Sequence, residues 1–213
     1  MRADTGRYRL SAYDRVVPEV DIHPADTARW PDVVALLNPG GGQACWCLAY
    51  RLTSGEFGRA DAAEREARMR ALVAGDPAPG LLAYLDGAPV GWCNVGPRAA
   101  MGRLVRSRTI AAVDDLPVWS VVCFVVRAGY RRRGVARALL DGAVAYARQH
   151  GAPAIEGYPV DTGGGRINVS SAYVGTVGMF RRAGFEVVGE TTATSGRLTR
   201  WVMRRDLANV RAR

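Results

Sequence analysis

The chain has 213 residues, enough for one well-cored domain with additional elements, and no break in composition divides it. Its formal net charge of +9 calls for an anionic partner, but the basic residues are dispersed and no helix-turn-helix, zinc-finger or RNA-stacking motif accompanies them, which disfavours a nucleic-acid binder. No stretch reaches the roughly 18 apolar residues of a membrane span, and Met1 to Tyr13 are polar and basic without the apolar run of a signal peptide, so a cytoplasmic protein is expected.

Residues 1–17 show no periodicity and are expected to form a mobile tail, followed by a single domain over 18–213. Val20-Asp21-Ile22 suggests a short extended piece. Thr27 to Leu37 predicts a helix with Trp30, Val33, Val34 and Leu37 on one face, Asp26 or Thr27 near its cap, and a stop at Asn38-Pro39-Gly40. Cys45 to Leu52 predicts a strand. Asp61 to Ala74 reads as a charged helix whose contacts come from Ala63, Ala67, Met69 and Leu72. Residues 81–85 and 90–95 flank Asp86-Gly87, a strong hairpin signal. The connection over 96–117 has the length of a lid or an ordered insertion.

Residues 118–126 are β-branched and apolar on both faces, as in a strand buried within a sheet. Tyr130 to Ala136 follow as a tight turn carrying Arg131, Arg132, Arg133 and Gly134. A helix then presents Val135, Leu139, Gly142, Ala143 and Tyr146 at helical spacing and ends at Gly151 and Pro153. A strand over 154–160, a helix over 171–183, and two strands over 185–191 and 197–205 joined by Ser195-Gly196 complete the chain. Cys45, Cys47, Cys93 and Cys123 all fall in strand-like runs and read as buried free thiols. Cys45-Trp46-Cys47 would place two thiols on one strand face, yet a closed zinc site needs two more ligands and neither His23 nor His150 has metal-ligand spacing, so no metal is expected.

The turn at 130–136 is the feature that points to chemistry. A strand, a Gly turn and a helix start leave unpaired N–H groups and the positive helix end directed into one small space, which suits a pyrophosphate. Neither the Gly-Lys-Ser/Thr of a Walker loop nor a Gly-x-Gly-x-x-Gly fingerprint is present. Arg131, Gly134 and Ala136 instead meet the Gln/Arg-x-x-Gly-x-Gly/Ala pattern, and the segment resembles the acyl-CoA loop of the GNAT superfamily of N-acetyltransferases. Phe180-Arg181-Arg182-Ala183-Gly184-Phe185 resembles the Tyr-x-x-x-Gly-Phe end of the family's next helix, and the resemblance extends over roughly 80–205.

That resemblance implies an α/β GNAT fold: a mixed, mostly antiparallel central sheet with splayed central strands, flanked by helices. The splayed strands would be 118–126 and 154–160, with the backbone of Cys123, Phe124, Val125 and Val126 pairing with pantetheine amides as though with another strand. Arg131, Arg132, Arg133, Gly134, Val135 and Ala136 would hold the pyrophosphate. The implied cosubstrate is acetyl-CoA and the implied partner a small-molecule or peptide amine; a homodimer is compatible with it.

Transfer to an amine requires a held thioester, an unprotonated amine, and a proton for the departing thiolate. The strand over 118–126 offers no carboxylate, so Glu156 in the next strand is the leading candidate base, with a salt-bridged structural role as the equal alternative. Many GNAT enzymes place a protonating Tyr where this chain has Phe180. Tyr173, seven residues earlier and about two turns back on nearly the same face, is the expected replacement, with Tyr158 or a water as alternatives. Trp46, Trp92, Trp119 and Tyr84 would line an acceptor pocket or fill the core, and Asp114-Asp115 would hold a cationic amine or simply end a loop. No Cys-His or Ser-His pairing is apparent, so direct transfer in a ternary complex is expected. Transfer of another acyl group, or a non-catalytic CoA-binding sensor, are the alternative readings.

Overall fold

The computed structural model describes residues 20–42, 44–165, 167–168 and 171–207, so the expected tail over 1–17 lies outside them. One seven-stranded sheet organises the chain: β1 (Asp21–Pro24), β2 (Gly80–Leu85), β3 (Ala88–Pro97), β4 (Trp119–Val126), β5 (Ala154–Gly157), β6 (Glu186–Ser195) and β7 (Leu198–Asp206). Their spatial order is β1-β2-β3-β4-β5-β7-β6, and every neighbouring pair is antiparallel except β4 and β5. A parallel pair requires a crossover, and α5 (Val135–Gln149) supplies it. The sheet is therefore mixed, mostly antiparallel and flanked by helices, as expected.

Residues on alternate sides of this sheet build separate cores. On one face Leu139, Leu140 and Ala143 of α5 pack with Val121, Phe124 and Ile155, joined by Phe180 from α6 (Val177–Arg182). The other face meets α1 (Trp30–Leu37) and α3 (Ala62–Val73), where Val33, Leu36, Met69 and Val73 pack with Trp46, Leu82 and Trp92. Trp92 is fully buried, Trp119 packs edge-on to Tyr146, and the Tyr84 hydroxyl donates to Asp32 at 2.6 Å. These aromatic residues are core and helix-anchoring groups.

The expected strand over 45–52 is instead a run of turns in which Trp46 (φ 49°) and Cys47 (φ 51°) adopt left-handed conformations. Tertiary contacts hold it there. Trp46 stacks on Trp30 at 5.6 Å between ring centroids, and the Asn94 amide donates to the Cys47 carbonyl at 2.6 Å. Arg51 ties its end to the sheet through Asn94 Oδ1 and the carbonyls of Pro79 and Val95. A short helix absent from the sequence reading, α2 (Ser54–Arg59), follows, nucleated by a capping box between Thr53 and Glu56. The 96–117 connection is an ordered insertion: α4 (Gly102–Val105) forms within it, Met101, Leu104 and Ile110 are buried, and Arg98 donates to the carbonyls of Leu104 and Ile110.

Helix α6 is shorter than expected. Ala172–Val174 form a separate 3-10 turn, Gly175 (φ 79°) breaks the path, and Val160 bridges Thr176 in parallel fashion before α6 begins. Phe180 then lies flat on Gly157, where an added Cβ would stand 2.1 Å from its ring. Gly157→Ala should therefore lower stability by about 1–3 kcal/mol or more through overpacking, read as a fall in the urea midpoint without a change in slope.

Candidate active site

Strand β4 carries a bulge that shapes the site. Asn94 and Val95 of β3 face Cys123 and Val121, so Val122 is the extra residue. Such a bulge bends its strand and deepens its twist. Strand β4 pairs with β5 only over Trp119–Val121, and past that point the two strands part. Among the described residues no strand pairs with 122–126 on the side that β5 leaves. The free edge lies where the splay is expected, but β5 ends at Gly157, short of the expected 160, so the opening follows from the end of β5.

Immediately beyond, a 3-10 turn (Ala128–Tyr130) leads through Arg131 to Arg132 (φ 62°) and Gly134 (φ 82°), the residue preceding α5. Left-handed backbone favours glycine at 134, and a Cβ there would meet no atom within 4 Å, so the requirement is conformational and the space in front is open. The first N–H groups of α5, from Val135, Ala136 and Arg137, have no intrahelical acceptors, and these residues border that space.

A cleft of ≈ 520 Å³ occupies it. Phe124, Val125 and Val126 form one wall; Arg131, Arg132, Gly134, Val135 and Ala136 form the end. Arg133 and Cys123 are not among the lining residues, although the expectation for Cys123 concerned its backbone alone. Arg133 lies over the Tyr130 ring at 5.5 Å, and the Cys123 side chain turns to the opposite face, where Cys47 Sγ donates to it at 3.6 Å. The opposing wall of Thr176, Met179 and Arg182 was missed from sequence. The signal available was the Thr176 side chain, which caps α6 by accepting from the Met179 N–H.

A second cavity of ≈ 660 Å³ lies between the start of α2, the α4 insertion and strands β6 and β7. Tyr173 lines both cavities. Burial, then the neighbouring Tyr50 phenol, push its pKa up to about 12, while Arg200 pulls it the other way. The Tyr173 hydroxyl therefore keeps its proton at neutral pH. The break at Gly175 means that Tyr173 reaches this position from its own 3-10 turn, and not from the helix face of Phe180.

Phe180 does not face the cleft. It is fully buried, packed edge-on to Phe124 and Phe185. Replacement by tyrosine would bury a hydroxyl without restoring an acid; Phe180→Tyr is expected to cost about 1–3 kcal/mol of stability and to leave the turnover of the folded fraction unchanged.

Glu156 also stands apart. Its Oε1 accepts from Arg204 Nε at 3.0 Å and Nη2 at 2.7 Å, and its Oε2 accepts from the Tyr158 hydroxyl at 3.2 Å. It borders a third cavity, of ≈ 380 Å³, together with Arg98, Asp114 and Arg204. Asp114 forms the second carboxylate partner of Arg204, at 2.6 Å and 2.9 Å, and that guanidinium holds the Asp114 carboxyl below its ordinary range. The acidic pair expected to receive an amine thus carries an ion pair at Asp114. Tyr158 is buried and within 2.9 Å of the Ser120 hydroxyl; burial raises its pKa.

Among the described residues no group of three His, Cys, Asp or Glu side chains is placed to hold a metal, and no helix is long and apolar enough to cross a membrane. The cysteines depart from expected burial at two positions: Cys123 is half-buried and Cys45 is exposed. Hydrogen bonding with Cys47, whose backbone N–H donates to the Cys45 sulfur at 3.4 Å, draws its pKa down to about 6 against the opposing effect of burial, whereas burial pushes Cys93 up. Iodoacetamide at neutral pH should therefore modify Cys45 well before Cys47 or Cys93, as peptide mapping would show.

The model of the acetyltransferase (GNAT) family matches residues 46–162, more than half of the chain. The chain belongs to this family. Solved structures agree with this GNAT protein in fold. A GCN5-related N-acetyltransferase from Kribbella flavida is 22% identical over 88% of this chain and 98% of that one, with a TM-score of 0.50. For yncA of Salmonella typhimurium, solved with acetyl-CoA, the values are 18%, 91%, 96% and 0.53. A polyamine N-acetyltransferase of Drosophila melanogaster gives 14%, 89%, 100% and 0.53. No curated protein matches this GNAT sequence.

Proposed function

We propose that the protein moves an acetyl group from acetyl-CoA to an amine in a direct ternary complex. The observation that carries this reading is Tyr173, which stands on the wall shared by the cleft at the α5 turn and the larger cavity beside it. The N–H groups at the start of α5, with Arg131 and Arg132, fit a pyrophosphate, and the unpaired edge of β4 fits an extended amide chain. Acetyl-CoA supplies the activated thioester. The turn binds it, the β4 edge aligns it, and the amine enters from the larger cavity.

Tyr173 then supplies a proton to the departing sulfur; its raised pKa keeps that proton available. Among the described residues the larger cavity has no carboxylate in its wall but includes Arg103, Arg106 and Arg200. Nearby positive charge favours the neutral form of an amine, so the field of the site assists deprotonation without a dedicated base. Glu156, neutralised by Arg204, is assigned to holding β5 against β7.

Release of free thiol from acetyl-CoA across a panel of amines tests the reading; a protein that binds acetyl-CoA but acetylates none of them is a binding module. Calorimetric titration of Gly134→Val tests the turn. A β-branched residue in left-handed backbone costs about 1–2 kcal/mol and distorts the N–H cradle, so acetyl-CoA affinity should fall about tenfold. Unchanged affinity in the folded variant would remove the turn from the binding site.

A further inference from the structure

The ≈ 660 Å³ cavity carries an unmatched positive charge that the acetyl-transfer reading by itself does not explain. Arg200 is 3% exposed. Its Nε donates to the Tyr158 carbonyl at 2.8 Å and its Nη1 to the Tyr50 hydroxyl at 2.6 Å, both neutral acceptors, and its Nη2 is buried with no partner. A buried guanidinium without a counter-ion is costly, because desolvation is not offset by an opposite charge.

Arg65 and Arg98 also have a buried Nε without a partner, but Arg98 lines the cavity that contains Asp114 and Glu156. Arg204 meets Glu156 and Asp114, and Arg51 places its donors on Asn94 Oδ1 and two backbone carbonyls. At Arg200 the unmet donor belongs to a residue that lines a cavity. Arg103, on the same wall, also has a buried Nε without a partner, and Arg106 adds a third guanidinium. Glu56, beside this wall in sequence, accepts from the N–H and hydroxyl of Thr53 at 2.8 Å and 2.6 Å; these bonds with Thr53, and to a smaller extent Arg68 and Arg106, hold its carboxyl below its ordinary range, so Arg106 is partly matched while Arg200 is not. The remaining polar lining consists of hydroxyl groups such as those of Tyr50, Ser107 and Thr192.

We propose that the acceptor is a small amine bearing an oxyanion, carboxylate or phosphonate, which the guanidinium groups of Arg103, Arg106 and Arg200 on this wall attract and bind while the amine lies toward Tyr173. This rests on the acetyl-transfer reading and specifies its substrate class. The missing counter-ion of Arg200 arrives with the substrate, as a charge-assisted hydrogen bond in a desolvated site. A cationic or neutral amine leaves that charge unmatched and, if cationic, adds repulsion.

The test compares matched acceptors with the unaltered protein. Thiol release from acetyl-CoA is measured with 4-aminobutyrate and 3-aminopropylphosphonate, against butylamine and 1,5-diaminopentane. At least one of the two anionic amines should exceed both others in kcat/KM by about tenfold or more, and the two anionic arms distinguish carboxylate from phosphonate. Equal or better use of butylamine or the diamine would overturn the proposal and leave acetyl transfer intact.

A binding arm separates the two failures. Glutarate and propylphosphonate, which carry no amine, are titrated calorimetrically into the protein with CoA present. At least one should bind, and Arg200→Gln should weaken it about tenfold or more, with Arg200→Lys retaining part of the affinity. Because Arg200→Gln alters a buried group on which folding can depend, the more exposed Arg106→Gln gives the second reading, a smaller loss with a shallower salt dependence. Anion binding without any amine acetylated would fault the enzyme reading alone; acetylation without anion preference or anion binding would fault this proposal alone.

Discussion

Tyr173→Phe should lower the single-turnover rate of acetyl transfer by about a hundredfold or more, the range typical of removing a positioned acid, while acetyl-CoA affinity stays at the parent value. The argument is positional. Tyr173 is the residue common to the two cavities, and its hydroxyl is held with its proton by burial and the Tyr50 phenol. A pKa pushed up to about 12 fixes the pH dependence: the donor form persists through neutral and mildly alkaline solution, and loss of rate from this group begins only as pH approaches that value. The rate should instead rise on the acid side as the acceptor amine loses its proton. Parent-like single-turnover rates in Tyr173→Phe would return the residue to a wall of the cavity and leave the proton to solvent.

Glu156→Gln should destabilise the fold by about 3 kcal/mol, because removing one partner of a buried ion pair leaves the other uncompensated. Glu156 is 1% exposed, and Arg204 depends on it together with the more exposed Asp114. The network also reaches Tyr158 and Ser120, so one substitution affects the junction where β5 meets both β4 and β7. Urea unfolding reads the loss. Turnover of the folded variant should match the parent, and a large fall in turnover with unchanged stability would reinstate Glu156 as a base. Acid adds a second signature. The Asp114 pKa is depressed by Arg204, so its contribution is present above the ordinary carboxylate range and lost as pH falls through the depressed value. The variant, relying on Asp114 alone, should unfold at a higher pH than the parent.

The architecture and the turn over 130–136 were legible in the chain because each rests on local rules. Alternating and continuous apolar runs marked β2, β3 and β4, Asp86-Gly87 fixed the hairpin, and Gly134 between an apolar strand and an amphipathic helix marked the turn. Tertiary contacts decided the rest. Cys45 to Leu52 has the composition of a strand, but the stacking of Trp46 on Trp30 and the anchoring of Arg51 hold it as turns. Tyr173 and Phe180 share a helical spacing, but Gly175 breaks the helix, sending one side chain to the cavities and the other to the core. Glu156 stands two residues from Tyr158 in sequence, yet its chemistry depends on Arg204, a partner from another strand. Arg200 gave no local signal at all. Its significance lies in a buried guanidinium with no counter-ion beside a cavity, and only the packed chain determines which charges meet a partner.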